Sequence, residues 1–149
     1  MVDKLSPGQR SALMAKVGSR NTKPEMMIRR MLHARGWRYR LHQRGLPGTP
    51  DIVFAGRKVV IFVHGCFWHG HDCSLGRLPK TRTEFWAEKL VANRNRDARK
   101  VAELRLNGWR VFTVWQCSLK DASGTLSDIE SFLHGDVFEA ETANMPRGT

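Results

Sequence analysis

Pro50-Asp51-Ile52-Val53-Phe54, Ala55-Gly56-Arg57-Lys58 and Val59-Val60-Ile61-Phe62-Val63-His64 stand end to end near the middle of the chain. The first block is a short β-branched and aromatic run opened by an acid, and it predicts a strand over residues 51–54. The second is a polar turn built around Gly56. The third is apolar from Val59 to Val63, the pattern of a strand covered on both faces and central in a sheet. A central strand of that kind needs helices on either side.

The flanking sequence supplies them. Upstream, Thr22-Lys23-Pro24-Glu25 offers an N-cap, Pro near the first helical position and a Glu three residues after the cap. Ile28, Met31, Leu32 and Arg35 follow at helical spacing, and Gly36 reads as the terminator. Ser6-Pro7-Gly8-Gln9 opens an earlier helix over about 6–18, with Leu13, Met14 and Val17 on one side. Trp37 to Leu41 alternates like a half-exposed strand. Downstream, residues 66–79 form a long loop rich in His, Gly and Cys. Thr83 is placed to cap a helix running to about Asn107, buried along Leu90, Val101 and Leu104. Val111 to Trp115 is another buried strand, and Asp121 to Leu133 a last helix. The expected order is helix, helix, three strands, long helix, strand, helix. That is one α/β domain over residues 1–135 with a mixed sheet between helices, followed by a loose tail over 136–149.

Bulk properties narrow the function classes. The chain has 149 residues, enough for one domain with a proper core, and 25 Lys and Arg against 14 Asp and Glu leave a net charge of +11. That excess is spread along the chain, and a folded domain this basic usually meets a polyanion. No apolar run approaches a membrane span, and the polar first ten residues do not resemble a signal peptide. A cytoplasmic protein is expected. The three cysteines, an odd count, argue against a disulfide framework.

Cys66-Phe67-Trp68-His69-Gly70-His71-Asp72-Cys73 packs two thiols and two imidazoles into eight residues. The third thiol, Cys117, ends a predicted buried strand. Neighbouring strands lie about 5 Å apart, so it can join the loop. Three thiolates and one imidazole make a closed tetrahedral zinc site, which is structural because no position remains for water. Spacing leaves open whether His69 or His71 is the imidazole.

Asp51 stands at the mouth of the predicted hairpin, where a carboxylate can hold Mg2+ against a phosphate. The next strand carries no second acid and no lysine, so Val63 could offer only its backbone carbonyl. His64, His69 and Glu25 are the remaining titratable groups of interest, and a histidine near neutrality suits a general base. Trp86, Lys89 and Asn93 share one face of the long helix, extended by Arg96 and Lys100. With Phe67 and Trp68 on the loop, they combine aromatic surface for stacking on bases with cations for phosphates.

These segments together resemble the very-short-patch repair (Vsr) endonuclease family. The resemblance is carried by Thr49-Pro50-Asp51-Ile52-Val53-Phe54, by Val60 through His69, by Thr81-Arg82-Thr83-Glu84-Phe85-Trp86, and by Gly108-Trp109-Arg110-Val111 with Trp115-Gln116-Cys117. It spans roughly residues 5–135. It implies a restriction-endonuclease-like fold, zinc held by Cys66, His71, Cys73 and Cys117, and catalytic Mg2+ on Asp51 with the Val63 carbonyl. It implies that His69 helps activate water, supported by Glu25, with His64 beside the phosphate. Phe67, Trp68 and Trp86 would enter the duplex from the major groove next to a T:G mismatch, and Met14 from the minor groove. Lys89 and Asn93 would read the mismatched pair. The implied reaction is nicking 5′ to the mismatched thymine left by 5-methylcytosine deamination. The implied partners are a cytosine-5 methyltransferase and a repair polymerase.

Two other readings compete. A non-catalytic zinc DNA-binding module explains the charge, zinc and aromatics, but leaves Asp51 and His69 without a role. A restriction enzyme or junction resolvase of the same fold would cut both strands and work as a dimer. A mismatch marks one strand, so a monomer is expected here.

Overall fold

A computed structural model describes residues 21–135 and 140–141. The expected helix over 6–18, with Met14, lies outside the described residues, as does most of the 136–149 segment. Helix α1 (Lys23–Ala34) is followed by strands β1 (Arg40–Leu41), β2 (Ile52–Phe54) and β3 (Val59–His64), helix α2 (Thr83–Leu106), strand β4 (Arg110–Trp115), helix α3 (Ala122–Leu133) and strand β5 (Ala140–Glu141). The five strands form one mixed sheet in sequence order. β1–β2 and β2–β3 pair antiparallel, whereas β3–β4 and β4–β5 pair parallel.

Alternation along β3 explains the layers. Val59 and Ile61 face one side of the sheet, packing with Ile28 and Leu32 of α1 and Ile129, Phe132 and Leu133 of α3. Val60 and Phe62 face the other side and pack with Leu104 of α2, with half-buried Val101 against them. Successive side chains of a strand point to opposite faces, so the uninterrupted apolar run is what a strand between two helical layers requires. Each large side chain fully buried in this way contributes about 1.5–3 kcal/mol.

Local rules account for most boundaries. Thr22 Oγ1 accepts from Glu25 N at 3.4 Å, and Glu25 Oε1 accepts in return from Asn21 N at 3.2 Å, one residue before the cap. Gly36 at φ +90° and Gly108 at φ +86° follow α1 and α2 as the left-handed residues that end them. Gly48 allows the loop before β2 to pass between Phe62 and Lys100, since a Cβ there would sit 3.1 Å from each.

Three expectations change. The strand predicted over 37–41 pairs only at Arg40 and Leu41; Trp37 and Tyr39 spend their surface on the core beside α1 instead. Thr83 is the first residue of α2, not its cap; the cap is Arg82, at φ +53°, and Thr83 Oγ1 donates back to the Pro79 and Lys80 carbonyls. Ala140–Glu141, within the segment expected to be a loose tail, pairs with Phe112 and Thr113 as an edge strand.

Candidate active site and metal centre

The parallel register of β3 and β4 sets His64 opposite Trp115. Two residues beyond each lie Cys66 and Cys117, so the register alone brings two thiols together, and Cys117 N donates to Cys66 Sγ at 3.3 Å. The loop then folds back: His71 N donates to the Cys66 carbonyl at 2.9 Å and Cys73 N to the His71 carbonyl at 3.0 Å. A Cβ on Gly76 would run into the His71 carbonyl oxygen, so that turn has room only for glycine. Cys66, His71, Cys73 and Cys117 end with one donor atom each, all within 4.8 Å of one another.

This donor set fits a tetrahedral metal ion. Cys117 Sγ and His71 Nδ1 are 3.6 Å apart. Bonds of about 2.3 Å to sulfur and about 2.1 Å to nitrogen, at a tetrahedral angle, give an edge of about that length. Burial pushes the Cys66 thiol up to about 12. Burial also opposes ionisation of Cys73, but hydrogen bonds from Cys66 and the Gly76 and Leu75 backbone bring it below the usual thiol value. The alternative left open by spacing resolves geometrically: His71 joins the thiols, with its ring stacked 4.0 Å from Trp115.

His69 turns the other way. Its Nδ1 lies 2.5 Å from Asp97 Oδ2 on α2, and its ring stacks on His64 at 3.7 Å and 4°. Burial of Asp97 works against its charge, but the hydrogen bond and charge of His69 hold the carboxyl below its ordinary value. Burial, reinforced by His69, pushes His64 down to about 3, so its imidazole is neutral at neutral pH. His64 Nδ1 is the one buried side-chain polar atom among the described residues without a hydrogen-bond partner.

Asp51 immediately precedes β2. Its Oδ2 accepts from Val63 N at 2.7 Å. Burial raises its carboxyl from 3.8 to about 7; the Val63 N–H works against that shift and neighbouring Glu25 adds to it. Glu25 is 1% exposed and also accepts from His42 Nε2 at 2.9 and 3.1 Å and from Arg29 at 3.3 Å. Glu25 is therefore both a cap and a member of the acid cluster, two roles the sequence could not separate.

A cleft of about 1170 Å3 is lined by Asp51, Val63, His64, His69, Lys89 and Lys100, among others. Its rim is aromatic. Phe67, Trp68 and Trp86 pack mutually edge to face with centroids 5.2–5.8 Å apart. They are not core: Trp68 is 38% exposed, and neighbouring Phe85 44%. Lys89, which also lines the cleft, is exposed. Asn93 Nδ2 donates to the Trp68 carbonyl at 2.9 Å and its Oδ1 accepts from Arg96, so in the free protein it holds the Trp68 backbone. Sequence reasoning missed Asp97, His42 and Phe85. Asp97 was discoverable, because it lies four residues after Asn93 on the stripe already singled out.

The described residues thus converge on one basic cleft that joins an acid, a histidine pair and an aromatic rim beside a thiol-rich cluster that could hold a metal. A family model described as DNA mismatch endonuclease Vsr matches residues 2–75. A type II nicking enzyme of Xanthomonas oryzae pv. oryzae is 53% identical over 133 residues, covering 89% of this chain and 98% of that one. A type II nicking enzyme of Neisseria meningitidis is 44% identical, covering 81% and 86%. The DNA mismatch endonuclease Vsr of Escherichia coli K12 is 42% identical, covering 80% and 77%. Among solved structures, the catalytic domain of a homing endonuclease superposes with a TM-score of 0.56 at 23% identity, over 78% of this chain and 99% of that domain. That likeness shows the fold, the nuclease-type mixed sheet with flanking helices anticipated from the sequence. The identities extend over most of both chains in each pair, and on that ground the chain belongs to the Vsr family of DNA mismatch endonucleases.

Proposed function

We propose that this protein nicks duplex DNA 5′ to the thymine of a T:G mismatch by Mg2+-dependent hydrolysis, leaving a 5′-phosphate and a 3′-hydroxyl. The observation that carries the reading is a half-buried acid, Asp51, and an Asp97-oriented His69 lining one basic cleft rimmed by half-exposed aromatics. Mg2+ would be held by Asp51 and the Val63 carbonyl, where it supplies Lewis-acid polarisation of the phosphoryl oxygen. A half-buried carboxylate whose charge is left uncompensated suits such an ion.

The chain's own groups do the rest. Asp97 accepts from His69 Nδ1–H, which leaves Nε2 with the lone pair that takes a proton from the attacking water. The water oxygen bonds to phosphorus, the bond to the 3′-oxygen breaks, and that oxygen is protonated from solvent. Neutral His64, stacked on His69, would hydrogen-bond the phosphate without competing for the proton. Zinc on Cys66, His71, Cys73 and Cys117 would hold the loop that presents Phe67, Trp68 and His69. Phe67, Trp68 and Trp86 would enter the stack at the mismatch, where unstacking is cheapest. Met14 would enter from the minor groove, and Lys89 and Asn93 would read the mismatched pair, Asn93 after releasing the Trp68 carbonyl. The unit of function would be one domain over residues 1–135 acting as a monomer in the cytoplasm on the nucleoid. It would repair the deamination product of a cytosine-5 methyltransferase and pass the nick to a repair polymerase.

Two variants probe the parts. Asp97→Asn should lower the single-turnover nicking rate by roughly 10²–10⁴-fold with DNA affinity unchanged, as expected for lost orientation of a general base; an unaltered rate would remove His69–Asp97 from the chemistry. Trp86→Ala should weaken binding to a T:G duplex by about 1–3 kcal/mol in a fluorescence titration, and binding to the paired duplex much less. The whole reading is tested by comparing T:G with T:A and C:G duplexes of one sequence in the same nicking assay. Equal cutting of all three would point to a restriction-type enzyme.

A further inference from the structure

Beside the cleft, three ligating groups from three distant parts of the chain meet. Thr22 caps α1 and so fixes Glu25 in its first turn. Leu41 pairs with Ile52 across β1 and β2, so the next residue on each strand, His42 and Asp51, stand opposite, and His42 N donates to the Asp51 carbonyl at 3.1 Å. Glu25, His42 and Asp51 each offer a donor atom, all within 4.8 Å of one another.

We propose that Glu25, His42 and Asp51 form a divalent-cation site of two oxygens and one nitrogen, which makes this protein prefer Mn2+ to Mg2+. The inference rests on Asp51 as the metal-holding acid of the proposed function, and adds His42 as a ligand that sets the choice of metal. Two carboxylates supply the charge: Asp51, which lines the cleft, and Glu25 behind it, which is 1% exposed. Mg2+ takes oxygen ligands and keeps its waters, whereas an imidazole nitrogen favours a transition metal. His42 Nε2 points at the Glu25 carboxylate. Arrival of the ion exchanges that hydrogen bond for an Nε2–metal bond, and the Nε2 proton leaves to solvent. Asp51 keeps one oxygen on the Val63 N–H, so the ion takes the other. The Val63 carbonyl, water and a phosphate oxygen would complete the ion's coordination.

The test uses the full-length, zinc-loaded protein without DNA. Mn2+ binding is followed by electron paramagnetic resonance, with Mg2+ as competitor, and directly bound nitrogen is read from electron spin-echo modulation. The expected result is Mn2+ affinity at least about tenfold above that for Mg2+, with a nitrogen modulation. In His42→Gln the modulation should vanish and the preference collapse, while the zinc content and melting temperature of the protein are retained. Glu25→Gln should weaken both ions. An absent modulation overturns the proposal, as does one that persists in His42→Gln and so places the ion at His64, His69 and Asp97. Either of those results alongside normal Mg2+-dependent nicking would remove His42 alone; an Asp51→Asn variant that still bound divalent ions and nicked normally would remove the proposed function itself.

Discussion

Asp51→Asn should lose nicking by about 10³-fold or more, since a metal-held polarisation worth several kcal/mol disappears with the carboxylate, and at the same time the metal-free protein should become more stable. The second half follows from the sign of the shift. Burial raises the Asp51 carboxyl from 3.8 to about 7. Between those values the folded protein keeps a proton that the unfolded chain has released. The stability linked to the neutral acid is therefore complete below pH 3.8 and lost as pH rises through about 7. At pH 8 the wild type carries a buried charge that the Asn variant lacks, at a cost on the order of 2–4 kcal/mol. Melting curves in Mg2+-free buffer should show the variant higher by several degrees at pH 8, and equal to wild type near pH 4. Added Mg2+ should narrow the gap by stabilising the wild type alone. Equal melting at pH 8 would mean that Asp51 is solvated well enough to need no cation.

Cys117→Ala, the second large effect, should disable both binding and cutting although residue 117 is far from the phosphate in sequence. Phe67, Trp68 and His69 all lie between Cys66 and His71, so the loop presenting them is anchored by the centre that Cys117 closes. Structural zinc contributes its binding energy to folding. Loss of one ligand should lower the melting temperature by roughly 10 °C, with zinc content falling well below one ion per chain. Protein purified without chelator should carry one zinc by elemental analysis. Strong chelation of the wild type should reproduce the variant, and added Mg2+ should not rescue it. A zinc-free protein that nicks normally would contradict the structural role.

The local parts of this architecture were readable from sequence because local rules set them. The apolar run from Val59 to Val63 could only be a strand covered on both faces, and Thr22, Gly36, Gly108 and Asp121 mark helix ends by their conformational preferences. What was not readable depends on distance between remote residues. Glu25 stood both as a capping partner of Thr22 and as a titratable candidate, and only the fold sets it against Asp51 and His42. Asp97 follows Asn93 by one helical turn on the stripe already singled out, but its neighbours do not show that His69, 28 residues earlier, turns toward it. His42 stood at the start of a Gly- and Pro-rich loop. Only the β1–β2 register places it opposite Asp51. β5 is two residues long, too short for any alternation to declare it.

Strand-specific, Mg2+-dependent incision at a mismatch is reached directly by one assay. A duplex with a single T:G pair, end-labelled separately on each strand, is incubated with the zinc-loaded protein with and without Mg2+, and the products are mapped to the nucleotide. The expected result is one nick, only with Mg2+, immediately 5′ to the mismatched thymine, with a 5′-phosphate on the downstream fragment and the guanine strand intact. Cleavage of both strands would contradict it, as would incision away from the thymine or binding with no incision at all.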